Sequence, residues 1–446
     1  RRLVELAVEA NFNALRIWGG AIYADHSFLD ACDELGVMVW HDFMYACCKY
    51  PADDPEFMQN VKDEASFVVR DLSPHPSLVV WCGNNEIEWC YSSGAFDRFK
   101  VKPDHVLYHY ELPRIVMRED PSRPYWPSSP FSPDHTDPNG PTIGDQHPWQ
   151  VSLGVNGPDF WAYRDDVSRF PNEGGVLGAT SMATIRDFTP EDQLYLHSPV
   201  WEYHDNACNY WAAGGSTYAI LEHWLGKASS EITFEDYVFY SAILQSEGLQ
   251  EYINNYKQRM YSSSSAIFWM YNDSWPVSNG WTIVDYYLRR KLAYHPVRRA
   301  FAPICVIPVA QEEKVVVYGV NCTLQSWAGT ARFGLFNLAG GLPLDQSIQT
   351  QLPPNASTIL AEFSMDEWHK AGIDASGAFA ALTDEHGQQV AQNKVFITRF
   401  KDLKWAEPDI SVERRGDKAS FLSPTFVWRV CLDLNGEQPL SDDVFD

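Results

Sequence analysis

Ser77-Leu78-Val79-Val80-Trp81-Cys82-Gly83-Asn84-Asn85-Glu86 is an apolar, β-branched run that stops at a glycine and presents a carboxylate just beyond its end. A run without polar alternation suits a strand buried on both faces, as in a parallel sheet. The same unit recurs outward from it. Upstream, Leu3, Leu6, Ala7 and Ala10 keep helical spacing and lead into Asn13-Ala14-Leu15-Arg16-Ile17-Trp18-Gly19-Gly20. A helix around Phe28 to Leu35 then leads into Gly36-Val37-Met38-Val39-Trp40-His41-Asp42-Phe43. Downstream, Pro124 to Ser128, a weaker Thr142 to Asp145, Val167 to Glu173 and Ala266 to Tyr271 are further candidate strands. This alternation predicts an α/β fold, a (β/α)8 TIM barrel over residues 1–302, whose chemistry would sit where strands end. Because the chain opens on a helix that should follow a strand, the first barrel strand is expected to lie upstream of residue 1.

After Phe301-Ala302-Pro303 the texture changes. Val315 to Tyr318, Ala331 to Leu335 and Val395 to Thr398 are short and separated by turns rich in Gly, Pro and Asn. They predict an all-β, immunoglobulin-like sandwich over 303–402. A partial second sandwich is expected over 403–446, with Phe426-Val427-Trp428-Arg429-Val430 as its clearest strand.

Composition narrows the function. A formal charge of −25 repels phosphate backbones and argues against nucleic acid as a partner. No apolar run reaches the about 20 residues of a membrane span. Nine cysteines, an odd number that includes the adjacent pair Cys47-Cys48, suit free thiols rather than a disulfide framework and so favour a cytoplasmic setting. Neither Cys-x-x-Cys nor His-Glu-x-x-His spacing occurs, so no metal site is expected, and no motif calls for a cofactor. Sequons stand at Asn272, Asn321 and Asn355.

A second strand-end carboxylate, Glu173, ends Ser168-Arg169-Phe170-Pro171-Asn172-Glu173, 87 residues beyond Glu86. Two carboxylates gathered at one barrel mouth can supply the proton donor and the nucleophile or base of glycoside hydrolysis. In that reading Glu86 has its pKa raised and Glu173 stays ionised. The competing reading has each Glu capping a following helix. Aromatic residues strengthen the first: Trp18, Trp40, Trp81, Trp126, Trp149, Trp269, Trp275 and Trp281 stand at or near proposed strand ends, where rings can stack on sugar faces. Arg16 and Asp42 end the first two visible strands, as a structural ion pair or as binders of substrate hydroxyls. Asp145 and His147 could hydrogen-bond substrate or hold Glu173, and Asn272 and Asp273 could be turn formers.

Four motifs occurring in order, Arg16-Ile17-Trp18-Gly19-Gly20-Ala21-Ile22-Tyr23, Trp40-His41-Asp42-Phe43, Trp81-Cys82-Gly83-Asn84-Asn85-Glu86 and Trp269-Met270-Tyr271-Asn272-Asp273-Ser274-Trp275-Pro276, closely resemble the β-mannosidases of glycoside hydrolase family 2. The resemblance implies a retaining exo-β-mannosidase with Glu86 as acid/base, Glu173 as nucleophile and β-mannoside oligosaccharides or glycoconjugates as substrates. It implies that Trp18, Asp42 and Trp275 line the terminal-sugar subsite, and Arg16, Asn85, His147 and Trp149 are the further candidate contacts. Glu173-Gly174-Gly175 departs from the aromatic residue that many members place after the nucleophile, which bears on the preferred sugar. The rivals are a β-glucosaminidase, β-galactosidase or β-glucuronidase of the same clan, and an inactive carbohydrate-binding homologue.

Overall fold

A computed structural model describes residues 1–94, 104–149, 157–206 and 216–446. The chain forms two compact units. The first comprises Arg1–Trp149, Asp166–Gly174 and Ser262–Phe268, and the second Gln150–Asp165, Gly175–Tyr261 and Trp269–Asp446.

The first unit is built on a parallel sheet of β1 (Ala14–Ile17), β2 (Met38–Asp42), β3 (Leu78–Cys82) and β4 (Tyr125–Trp126), in that spatial order. Its register sets Arg16 beside Trp40 and Asp42 beside Cys82. Helices α1 (Arg2–Glu9), α2 (His26–Leu35) and α3 (Pro55–Leu72) alternate with the strands, and α4 (Ile87–Ser92) and α5 (Leu112–Glu119) lie between β3 and β4. Local signals fix their limits. Asp25 caps α2 through Ser27 N–H, Gly36 ends it in the left-handed region, and Asp54 caps α3 ahead of Pro55. Val39, Leu78, Trp81, Val61, Val69, Leu107 and Ile115 meet in one core at 6% exposure or less. Each such aliphatic side chain contributes about 1.5–3 kcal/mol on burial.

Past β4 the expected strands at 142–145 and 167–173 are not regular strands. Gln146 and Pro171 form an isolated parallel bridge, with Gln146 N–H donating to Phe170 O and Asn172 N–H to Gln146 O. Pro171 has no N–H for a longer ladder, and Gly144 turns the chain at φ +75°. Likewise 266–271 is not a strand, although Ile267 N–H donates to Pro171 O.

In the second unit β5 (Gly178–Ala179) pairs with β6 (Asn279–Gly280), and a long helix runs from Phe234 to Gln258. Seven antiparallel strands follow: β7 (Ile304–Ala310), β8 (Lys314–Asn321), β9 (Trp327–Asn337), β10 (Leu344–Leu352), β11 (Ala356–Ser364), β12 (Ser376–Asp384) and β13 (Gln389–Val395). They form sheets of order β10-β9-β12-β13 and β11-β8-β7 around a shared core of Val315, Val317, Phe333, Leu335 and Trp368. Asn321 is wholly buried with its amide bonded to Gln325 O and Leu352 O, so that sequon cannot carry a glycan in this fold. Near the C-terminus the strands are β14 (Ser411–Arg415) and β15 (Lys418–Leu422) rather than Phe426–Val430. Arg429 adopts φ +60° and binds Glu247, which breaks the extended run, while Phe426 packs on Phe336 and Trp428 on Phe400. The described cysteines are free thiols, and no described helix is long and apolar enough to cross a membrane.

Candidate active site

The strand ends of the first unit converge on Arg16, which is 5% exposed. Its Nη2 donates to Asp42 Oδ2 at 2.7 Å and to Asn85 Oδ1 at 2.8 Å, and its Nη1 reaches Glu173 Oε1 at 3.2 Å and His147 Nε2 at 3.3 Å. Burial alone would lower the Arg16 pKa, but Asp42 and Glu173 hold it raised, so Arg16 is a fixed cation. Asp42 is fully buried and its carboxylate is fully used: it also accepts from Trp40 Nε1 at 3.0 Å and Gly19 N–H at 3.1 Å. That arrangement orients Arg16 and leaves Asp42 no free lone pair for a ligand. Gly19 is needed there because a Cβ would meet Tyr45 O at 2.3 Å.

His147 Nε2 lies between Arg16 Nη1 and Ser129 Oγ, the latter at 2.9 Å, and the Ser129 hydroxyl in turn donates to Asp145 Oδ2. Nδ1 lies 2.9 Å from Glu86 Oε1 and 3.3 Å from Glu173 Oε2. Burial lowers the His147 pKa to about 4, which keeps the ring neutral near pH 7. One oxygen of Glu86, one of Glu173 and one nitrogen of His147 lie within 4.8 Å of one another. Two carboxylates and an imidazole are a conceivable cation site. Here, however, Arg16 already supplies the positive charge, ion-paired with Glu173.

Helix capping accounts for neither carboxylate. Glu86 occupies the cap position of α4 with φ +62° and makes no side-chain cap bond; Asn84 Oδ1 takes the Ile87 N–H instead, at 3.1 Å. No helix follows Glu173 directly. A left-handed backbone at a non-glycine residue costs of order 1–3 kcal/mol and is typical of functional sites. Backbone bonds hold it: Glu86 N–H donates to Ser129 O at 2.7 Å, and Cys90 N–H donates to Glu86 O at 2.8 Å.

The two carboxylates have different partners. Glu173, 5% exposed, is ion-paired with Arg16 and accepts from Trp149 Nε1 at 3.0 Å. Glu86 is reached by His147 Nδ1 and by the Cys47 thiol at 3.4 Å. The Cys47 pKa is raised, chiefly by its hydrogen bond with neighbouring Cys90. Burial raises the pKa of both carboxyls, although the sequence reading had Glu173 simply ionised. For Glu173, His147, Arg16 and Trp149 oppose that rise.

Of the candidate contacts, Arg16, Asn85, His147 and Trp149 gather around the carboxylates, and Trp18, half-buried, lies against Gly20, where a Cβ would sit 2.0 Å from the ring. Trp275 belongs to the second unit, 37% exposed and stacked on His204 at 4.6 Å. Asp145 serves as frame, accepting from Trp126 Nε1, Phe131 N–H, Ser129 Oγ and Asn172 Nδ2. Ser129, Asn172 and Cys47 were not foreseen. The repeated Asn-Glu pair, at 85–86 and 172–173, was the available signal for Asn172. Asn272 does bond locally, its Nδ2 donating to Asp273 O, as a turn former would.

Paired carboxylates at the ends of elements beside a parallel sheet, with a fixed cation between them, are the arrangement that glycoside hydrolysis uses. The chain is similar to proteins named as β-mannosidases. It is 28% identical to β-mannosidase B of Emericella nidulans over 100% of this chain and 54% of that protein, and 34% identical to β-mannosidase B of Aspergillus flavus over 93% and 51%. The solved β-D-mannosidase of Dictyoglomus thermophilum matches with a TM-score of 0.89 and 33% identity, covering 96% of this chain and 52% of that one. Residues 313–402 match the family model of the mannosidase Ig/CBM-like domain. The exo-chitosanase of Amycolatopsis orientalis, 16% identical with a TM-score of 0.66, shares the fold. The chain spans about half the length of the curated relatives it matches.

Proposed function

We propose that this chain carries the catalytic machinery of a retaining exo-β-mannosidase that releases terminal, non-reducing β-D-mannose by double displacement. Glu173 attacks the anomeric carbon while Glu86 protonates the departing oxygen; Glu86 then deprotonates the water that cleaves the mannosyl-enzyme. The observation that carries this reading is that one oxygen of Glu86 lies within 4.8 Å of one oxygen of Glu173, which suits the roughly 5 Å between carboxyl groups of retaining enzymes better than the roughly 6.5–9.5 Å of inverting ones. The division of roles rests on the partners. Arg16 and the Trp149 indole favour the anion at Glu173, and Glu86, raised by burial with only weak or neutral donors, is the better proton store. Asp42 acts as a positioning residue through Arg16.

The substrate assignment rests on the β-mannosidase relatives, and the domain reading is a (β/α)8 catalytic barrel over 1–302, a sandwich over 303–402 and part of another over 403–446. Release of nitrophenol from aryl β-mannoside, glucoside, galactoside, glucosaminide and glucuronide tests it. Preference for the mannoside is the expected result; preference for another sugar overturns the substrate while leaving the carboxylate roles standing.

A further inference from the structure

Two residues beyond Glu86, a second cluster has no part in that chemistry. Glu88, on the first turn of α4 and 9% exposed, points one carboxylate oxygen at His109 Nε2, with which it makes a short hydrogen bond, and at His105 Nε2, 3.3 Å away. The two histidines are four residues apart, and the chain from Leu107 to Glu111 is a π-helical turn running into α5. Residues four apart share one face of a helical run, and the rings sit 5.1 Å apart. The three ligand atoms lie within 4.8 Å of one another. Two N/O ligands each about 2.0–2.2 Å from a zinc ion are themselves at most about 4 Å apart, so shifts of under about 1 Å would close the shell.

Among the described residues His105 Nε2 is a buried ring nitrogen whose polar neighbour is Glu88, 3.3 Å away without hydrogen-bond alignment. Neither of the two other clusters of comparable make-up has such a nitrogen. In Asp30–Asp33–His75, the His75 Nδ1 is taken by Asp33 at 2.7 Å and its Nε2 by His26 at 2.9 Å. In Glu86–His147–Glu173 both ring nitrogens are engaged, Nδ1 by Glu86 at 2.9 Å and Nε2 by Ser129 Oγ at 2.9 Å. Burial pushes the Glu88 carboxyl up, but the two histidines hold it well below the usual carboxylate range.

We propose that Glu88, His105 and His109 bind one divalent transition-metal ion of the zinc class, water completing the shell, and so tie the start of α4 to the helical run entering α5. Two imidazoles and one carboxylate suit zinc, cobalt or nickel and are poor ligands for calcium or magnesium, which prefer all-oxygen shells. Zinc chloride titrated calorimetrically into the metal-free protein near neutral pH should bind at one site and raise the Tm as its concentration grows. His105→Asn changes a side chain that is 35% exposed and leaves the Glu88–His109 bond intact, so the fold survives. It and His109→Asn should each weaken zinc binding by at least about tenfold, whereas His75→Asn should not. No zinc uptake by the wild type, or a loss below tenfold in His105→Asn with its circular dichroism unchanged, would overturn the site.

Discussion

Glu86 and Glu173 stand at the ends of comparable segments, each directly after an asparagine, yet the fold treats them differently. Around Glu173 it sets a buried guanidinium and an indole N–H, groups that favour negative charge. Around Glu86 it sets a neutral imidazole, a thiol and a left-handed backbone. Unequal partners are how a pair of identical carboxyls acquires two roles. The difference originates in Arg16, whose fork reaches Glu173 but makes no ion pair with Glu86 among the described residues.

The strongest way to break this comparison is to delete the anion. Glu173→Ala should cost about 10⁴-fold or more in kcat on an aryl β-mannoside, and azide should restore turnover with an α-mannosyl azide as product. A β-configured azide product would mean that the two roles are reversed. Glu86→Ala should be milder and depend on the leaving group: two to four decades on a poor leaving group, the usual worth of a general acid, and much less on a dinitrophenolate, read by kcat/KM across a series of aryl mannosides. A loss independent of the leaving group contradicts Glu86 as acid.

Arg16→Gln sharpens the comparison through stability. It leaves Asp42 buried without its partner and should cost about 3–5 kcal/mol by denaturant titration. In the surviving enzyme the acid limb of kcat/KM should move to higher pH, because Arg16 lowers the Glu173 pKa. The smallest effect is expected from Glu86→Gln. Burial raises the folded pKa of Glu86 above the unfolded 4.5, so the folded state binds the extra proton and stability falls as pH rises from about 4.5 through the folded value. The substitution removes that cost: Tm should rise by a few degrees near neutral pH and the gain should vanish below about pH 4.5. A gain that persists at low pH would assign the effect to backbone strain instead.

Much of this site was legible because barrel-like strands announce themselves. Continuous apolar runs ending in Arg16, Asp42 and Glu86 became β1, β2 and the segment after β3, and alternation with capped helices marked the order. Past Trp126 the signal weakened for a physical reason. Gly144, Pro148 and Pro171 interrupt regular pairing, so Asp145 bridges Phe131 and Gln146 bridges Pro171 as single isolated pairs, although these segments still deliver His147 and Glu173. The wiring of the network was not legible at all. Nothing in local sequence says that Asp42 is saturated by Trp40, Gly19 and Arg16, or that His147 reaches both Glu86 and Ser129, because those partners meet only through tertiary register. His105 and His109 show the converse: their spacing is visible in the sequence, but it gains meaning only from the π-helical turn and from Glu88.

The assignment of roles is tested most directly by trapping. Incubation with a 2-deoxy-2-fluoro-β-mannosyl fluoride, followed by peptide mass spectrometry, should place a fluoromannosyl ester on Glu173, with stoichiometric loss of activity. A label on Glu86, or turnover without any covalent adduct, would contradict the double-displacement account.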